Sequence, residues 1–482
     1  MRIVASKIVL CMATSDKYDR QLRLWGAKGQ RALAESSVLC IGSSAAATET
    51  LKNLVLPGIG QVLIADDAVV AEKDLGINFF VEEFDRGKTR ASVVAQHLSE
   101  LNPDVSISST VELPEADLHF DLVIVTTPSW SALLNATKRY KTCNRFVHIL
   151  SVGFVASVRL FSRVPHVVYD SREDEGSFPD LRISNPFDQF IDFCKQFDFS
   201  ETADSLAHGN IPWPVILLKA KEIVQKERHE ICSTDLQSLK AAIASLRHSP
   251  DEVNFDEAIE NIHLAIDTSG CPEEVHAMFS MAKTSPEALD GRTNFWSAVR
   301  AVAAFFVASG TLPLSGVIPD MSSDTKSYLQ LQRIYMEKAQ ADLDQVMAFL
   351  DGSKTTVSRE EVGEVCKLIR KSKCMHIGFP CEDDIVAGLA QDYDEEDSLL
   401  PWYMGVMGAK ELRTRNGDNV IVEQDILDEI ARYQGEELHT VSAVVGGVAA
   451  QEIVKLLTGL FVPLDNLFIY NGVHGVAQTV KV

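Results

Sequence analysis

Val38-Leu39-Cys40-Ile41-Gly42-Ser43-Ser44-Ala45-Ala46-Ala47 runs on through Leu51, Leu54 and Val55 to Pro57-Gly58-Ile59-Gly60, and then to Gln61-Val62-Leu63-Ile64-Ala65-Asp66-Asp67. The unbroken apolar run 38–41 predicts a short strand buried on both faces, because a half-exposed strand would alternate apolar with polar residues. Gly42 to Ala47 reads as a loop of small residues. Leu51, Leu54 and Val55 stand at helical spacing and predict a helix over 48–56, which Pro57-Gly58-Ile59-Gly60 stops. Gln61 to Ala65 predicts a second strand, ending on acids. Strand, small-residue loop, helix and strand in this order open a parallel, doubly wound, Rossmann-like α/β sheet.

Working outward, residues 17–34 read as a helix. Tyr18, Leu22 and Trp25 form one apolar stripe, and Arg20 and Arg23 fall on the opposite side. A helix over about 87–101 and strands at Leu122–Val125 and Phe146–Leu150 continue the α/β pattern. Around residue 165 strands nearly vanish, and amphipathic helices such as Phe295–Val307 and Tyr328–Leu350 dominate. After about 410 the α/β pattern returns, with a helix inside Leu438–Leu457 and a strand at Leu467–Tyr470. The simplest architecture is one α/β domain split in sequence, 13–165 and 406–482, around a large helical insertion at 166–405. The acidic stretch Asp392 to Asp397 reads as a solvated linker.

The 482 residues are 46% hydrophobic and 23% charged, which suits packed domains rather than wholesale disorder. A formal net charge of −23 repels phosphates and anionic lipid, so neither nucleic acid nor membrane is an expected partner. Cysteines at 11, 40, 143, 194, 232, 271, 366, 374 and 381 show no CxxC pair or zinc spacing, so no metal site is expected. That usage fits a reduced compartment, the cytoplasm and nucleus. No run of eighteen apolar residues predicts a membrane span. Ile8 to Met12 is too short for the apolar core of a secretory leader, and Met12 is a candidate start.

Tyr18-Asp19-Arg20-Gln21-Leu22-Arg23-Leu24-Trp25-Gly26, Leu51-Lys52-Asn53-Leu54-Val55-Leu56-Pro57-Gly58-Ile59-Gly60 and Val445-Gly446-Gly447 followed by Gln451-Glu452-Ile453-Val454-Lys455 resemble, in order and spacing, the motifs of ubiquitin-like-protein activating enzymes. The closer resemblance is to regulatory subunits of neddylation (Rub-type) activating enzymes. It extends into the insertion at Asn294-Phe295-Trp296 and Gly316-Val317-Ile318-Pro319-Asp320-Met321. Members of the superfamily join a modifier's C-terminal carboxylate to the α-phosphate of ATP. That chemistry needs backbone close to phosphate, a held magnesium ion and compensation of developing negative charge.

The resemblance implies that these needs are not met here. Gly42 remains, but the family's later glycines fall on Ser44, Ala45 and Ala47. Asp66 fits the ribose-binding position, while the second aspartate falls on Ala68. Ile77 replaces an arginine that meets phosphate, and Arg90 stands where an active-site lysine is expected. Pro128 stands in the aspartate–asparagine pair and cannot ligate magnesium. Nor does any Cys-Thr pair supply the catalytic thiol; Cys271-Pro272 and Pro380-Cys381 read as structural. The expected chain is therefore the non-catalytic half of a heterodimer. It binds no cofactor itself and leaves ATP and magnesium to a catalytic partner, which passes the modifier to a conjugating enzyme.

Arg20 matches the family position that reaches the other protomer's ATP. Asp320, Met321, Lys326, Tyr328, Leu331 and Gln332, in a segment that resembles a partner-contacting one, are expected at the interface. Gly446 and Gly447, mid-helix where glycine costs roughly 1 kcal/mol against alanine, imply close backbone approach to the partner or to the internal sheet. The competing reading is an active homodimeric enzyme of the MoeB or ThiF type, which lacks such an insertion and needs the metal aspartate. A dinucleotide-dependent oxidoreductase fits Asp66 but not the broken glycine pattern. The small subunit of a SUMO-type activating enzyme lacks the insertion; a pure scaffold with no enzyme role is a further alternative, which dependence of the partner's activity on this chain decides.

Overall fold

The computed structural model describes residues 17–171, 180–200, 204–227, 235–266, 271–284, 293–350, 357–380, 398–408, 411–413 and 419–482. The chain divides into a split unit, 1–168 with 375–482, and a continuous unit, 169–374. The return to the first unit thus comes near 375, ahead of the expected 406. Packing explains the difference. The Ser162 N–H donates to the Gly378 carbonyl at 3.2 Å, and the Phe379 ring stands edge-on to Phe146 with centroids 5.9 Å apart. Leu400, Tyr403 and Met404 are buried with Leu467 and Ile469. Met12, Cys232, Cys381 and the acidic stretch 392–397 lie outside the described residues.

The first unit holds an eight-stranded sheet: β1 (Ser37–Ile41), β2 (Gln61–Ala65), β3 (Ser106–Thr110), β4 (Leu122–Val125), β5 (Arg145–Val152), β6 (Val155–Ser162), β7 (Leu467–Asn471) and β8 (Val476–Val480). The order is β8-β7-β6-β5-β4-β1-β2-β3. Strands β3, β2, β1, β4 and β5 run parallel, as the apolar runs predict for all but β3, whose Ser106–Thr110 carries no such run. From β5 to β8 the pairing is antiparallel, so the sheet is mixed. The reason is local. Only Gly153 (φ +54°) and Phe154 join β5 to β6, too short for a helical crossover, so the chain turns back as a hairpin.

Five helices matter for the site: α1 (Asp19–Glu35), α2 (Ala45–Val55), α3 (Arg90–Leu101), α4 (Trp130–Arg139) and α5 (His439–Thr458). Alternate strand residues serve opposite faces. Val38, Cys40, Val62, Ile64 and Ile124 meet α2, α3 and α5 through Leu51, Leu54, Leu98, Val445 and Ile453. Leu39, Val123 and Val125 meet Trp130 and Leu133 of α4 on the other face. Among the described residues, α5 alone is long and apolar enough to match a membrane span by composition, yet Val445, Ala449, Ile453 and Leu456 are buried in this core.

Two helix boundaries differ from expectation. The first helix is broken at Gly26, whose φ of 67° and ψ of 175° leave the helical region. Helix α2 begins at Ala45 rather than 48, because the Ser44 hydroxyl accepts from Ala47 N–H at 3.2 Å and caps it. Ala45 to Ala47 are therefore first-turn residues, not loop.

The second unit is helical, with its own core built from Phe190, Trp213, Ile216, Phe255, Leu331 and Tyr335. Its long helix Thr325–Leu350 carries the buried Asp342, which pairs with Arg182 and, at 2.8 Å, with Lys338. A lone buried carboxylate would be costly; two cations offset that.

Candidate functional site

The carboxyl ends of parallel strands and the following helix N-terminus are where such sheets hold nucleotides. Here β1 leads through Gly42 and Ser43 to the Ser44 cap. Gly42 adopts φ +99°, and a Cβ on it would stand 2.3 Å from Thr126 Oγ1. The one glycine left in the loop is thus required by backbone and packing, with no phosphate invoked.

The next strand end is closed on itself. Asp66 accepts from Ser43 N–H at 3.0 Å, from the Ser43 hydroxyl and from Ala68 N–H at 2.9 Å. Arg90, at the start of α3, spans Asp66 at 3.0 Å and Asp74 at 3.1 Å. Burial opposes the Asp66 charge, but Ser43, Ala68 and Arg90 outweigh it and hold its pKa below the ordinary carboxylate value. Asp66 and Arg90, which the resemblance sets at the ribose and lysine positions, are each other's partners. Ala68 contributes only backbone: its carbonyl accepts from Arg90 N–H at 2.8 Å. Lys88 turns to Asp85 at 2.8 Å.

Ser44, Ala45, Ile77, Arg90 and Pro128 do line one cavity, with Thr126 and Ser151. Its volume is about 140 Å³, against roughly 300–1,000 Å³ for small-molecule sites. Gly42, Ala47, Asp66 and Ala68 do not line it. Ile77 offers an apolar side chain there, and its carbonyl accepts from the His439 ring at 3.1 Å.

Two residues of this site went unread in the sequence, Asp74, which Arg90 grips, and Glu437. Glu437, just before α5, sets its carboxylate on the α2 N-terminus, accepting from Ala45 N–H at 2.7 Å and Ala46 N–H at 3.3 Å. Burial pushes its carboxyl above the ordinary value, while Ala45, Ala46, Ser44 and Arg90 pull it back. Locally, Gly435-Glu436-Glu437 reads as an acidic helix flank; no neighbouring signal pairs it with a helix 392 residues away.

A model of the ThiF family matches residues 18–144. The Nedd8-activating enzyme E1 regulatory subunit of Drosophila melanogaster is 32% identical, over 97% of this chain and 97% of the fly protein. The Arabidopsis thaliana subunit AXR1 is 31% identical over 96% of both. This chain belongs to the family of NEDD8-activating enzyme E1 regulatory subunits. Among solved structures, E. coli MccB overlaps 31% of the chain and 50% of its own, at 17% identity and a TM-score of 0.28, too slight to carry an argument.

Other expected residues of this regulatory subunit sort by position. Arg20 is exposed on the first part of α1, and no ion pair engages it among the described residues. Its helix start is anchored, with the Tyr18 hydroxyl donating to Asp104 at 2.9 Å. One interface expectation is corrected, and one open alternative is decided. Leu331 is fully buried in the helical unit's own core. Gly446 faces α2: a Cβ there would lie 2.6 Å from Glu49 Cβ and 2.9 Å from Thr50 N, so its close approach is internal. Gly447 meets nothing within 4 Å. Asp320 and Lys326 are exposed, and Gln332 is half-buried. Met321 and Tyr328 pack partly on the helical core. Burial pushes the Cys271 thiol up to about 11, the reverse of an activated thiolate. Cys381 lies outside the described residues.

Proposed function

We propose that this regulatory subunit works as the nucleotide-silent half of a heterodimer that activates a NEDD8-type modifier. The observation that supports this most is the Arg90 bridge to Asp66 and Asp74, which uses up the ionic groups a nucleotide would need. In this reading the catalytic partner binds ATP and magnesium, carries the cysteine and passes the modifier to a conjugating enzyme. This chain binds no cofactor. It supplies scaffold and surface, including Asp320, Met321, Lys326, Tyr328, Gln332 and Gly447, and works in the cytoplasm and nucleus without nucleic acid or membrane.

It also supplies one cation. Arg20, exposed on an anchored helix start, reaches the partner's ATP and offsets the charge that develops as pyrophosphate leaves. Two measurements test the reading. The purified chain alone should give no modifier-dependent ATP–pyrophosphate exchange, whereas the reconstituted pair should. Arg20→Ala should leave folding and pairing intact and slow exchange in the pair at least roughly tenfold. Exchange by the lone chain refutes the division of labour; an unchanged rate in the variant pair removes Arg20's role.

A further inference from the structure

The first turn of α2 should expose backbone N–H groups, the feature that makes a helix N-terminus attract anions. None of its first three is open. Ala47 N–H is capped by Ser44, and Ala45 and Ala46 N–H both point at the Glu437 carboxylate. A carboxylate shares with a phosphate the features such a turn recognises: negative charge and paired acceptor oxygens.

The segment carrying Glu437 is strapped in place. Gly153 N–H donates to the Glu436 carbonyl at 2.7 Å, and Gly153 and Glu437 form a parallel bridge. The Tyr433 ring lies over Gly153, where a Cβ would come within 2.2 Å of it. Lys73 pairs with the Glu436 side chain at 3.3 Å. One residue past Leu438, the His439 ring holds the Ile77 carbonyl. The strap thus binds the hairpin turn on one side and the Ile77 loop on the other.

We propose that Glu437 is a built-in ligand of the α2 N-terminus, its carboxylate taking the seat a nucleotide phosphate would use, so that the chain's own C-terminal segment shuts the site. The seat keeps its affinity for small oxyanions and lacks only a vacancy. This rests on the nucleotide-silent reading above and explains how silence is kept in a fold that retains the phosphate-binding helix.

The test uses the full chain, unaltered, as Glu437→Ala and as Glu437→Gln, at constant ionic strength. Thermal midpoints are read with and without tens of millimolar inorganic phosphate or formate, and amide exchange is read over residues 45–47. Glu437→Ala should melt lower, exchange faster at 45–47, and recover about 2–4 °C with either anion, while the unaltered chain does not respond. Glu437→Gln fills the same space without charge; it should fold and exchange faster at 45–47, but with no vacancy neither anion should slow that exchange. Equal anion response in the unaltered chain, or no change in exchange in either variant, overturns the proposal. Magnesium–ATP binding by the unaltered chain overturns the nucleotide-silent reading and the proposal together. Absent rescue of Glu437→Ala without ATP binding overturns only the Glu437 assignment.

Discussion

The middle of α2 and its N-terminal end lie within a few turns of each other and are built to different rules. In the middle, Glu49 and Thr50 meet Gly446 of α5 so closely that no side chain fits between. That contact joins two helices on one face of the sheet and serves the fold whether or not chemistry occurs. At the end, the polar groups a nucleotide would need are satisfied from within, Asp66 by Arg90 and Ser43, the helix N-terminus by Glu437. A scaffold persists because packing demands it. The buried polar groups of a site need partners from a ligand, from water or from the chain itself, and here the chain supplies them.

The sharpest way to break this comparison is Gly446→Val. Branched carbons against the Glu49 Cβ and the Thr50 backbone should cost about 3 kcal/mol or more, read by chemical denaturation of the isolated chain. A neutral result would mean the helix contact is loose and the contrast false.

Next in size is a pH effect near the altered end. His148 is buried, and its ring donates to the Thr127 carbonyl at 2.6 Å. Burial, opposed by Thr127, lowers its pKa from 6.5 to about 4. The unfolded chain therefore takes up the proton first. The contribution to stability is intact above the unfolded value and is lost as pH falls from 6.5 toward 4, by roughly 2–3 kcal/mol. His148→Gln should flatten the stability profile across that window; an unchanged slope would assign the acid sensitivity elsewhere.

The smallest effect sharpens the role of the second glycine. Gly447→Ala meets no atom within 4 Å and should raise helix stability by about 1 kcal/mol in the isolated chain. If affinity for the catalytic partner drops in the same variant, position 447 lies at the interface; unchanged affinity places it on free surface.

Four of the five parallel strands were legible because strands buried on both faces must be apolar throughout, as Val38–Ile41 and Leu122–Val125 are; the polar edge strand Ser106–Thr110 was not. Ser44 was a readable cap signal, yet the alanines behind it lack apolar periodicity, so α2's first turn passed for loop. The break at Gly26 and the hairpin at Gly153 depend on glycine conformations that many glycines never adopt. Within the site, resemblance singled out Asp66, Arg90, Ile77 and Pro128; the last three line one cavity and Asp66 pairs with Arg90, a partnership that resemblance did not give. Gly446 was open between partner and sheet, and only distances settled it.

By itself the sequence determined where most strands and helices form, because local periodicity and residue type are carried at every point along the chain. That glycines, an arginine and a metal ligand are missing from one loop cluster is what its resemblance to the activating-enzyme family implies. The tertiary structure alone decided that Arg90 grips Asp66 and that Glu437 sits on the α2 N-terminus. Charges far apart in the chain acquire partners only when folding brings them within a few ångströms and removes water, and no local pattern records that pairing.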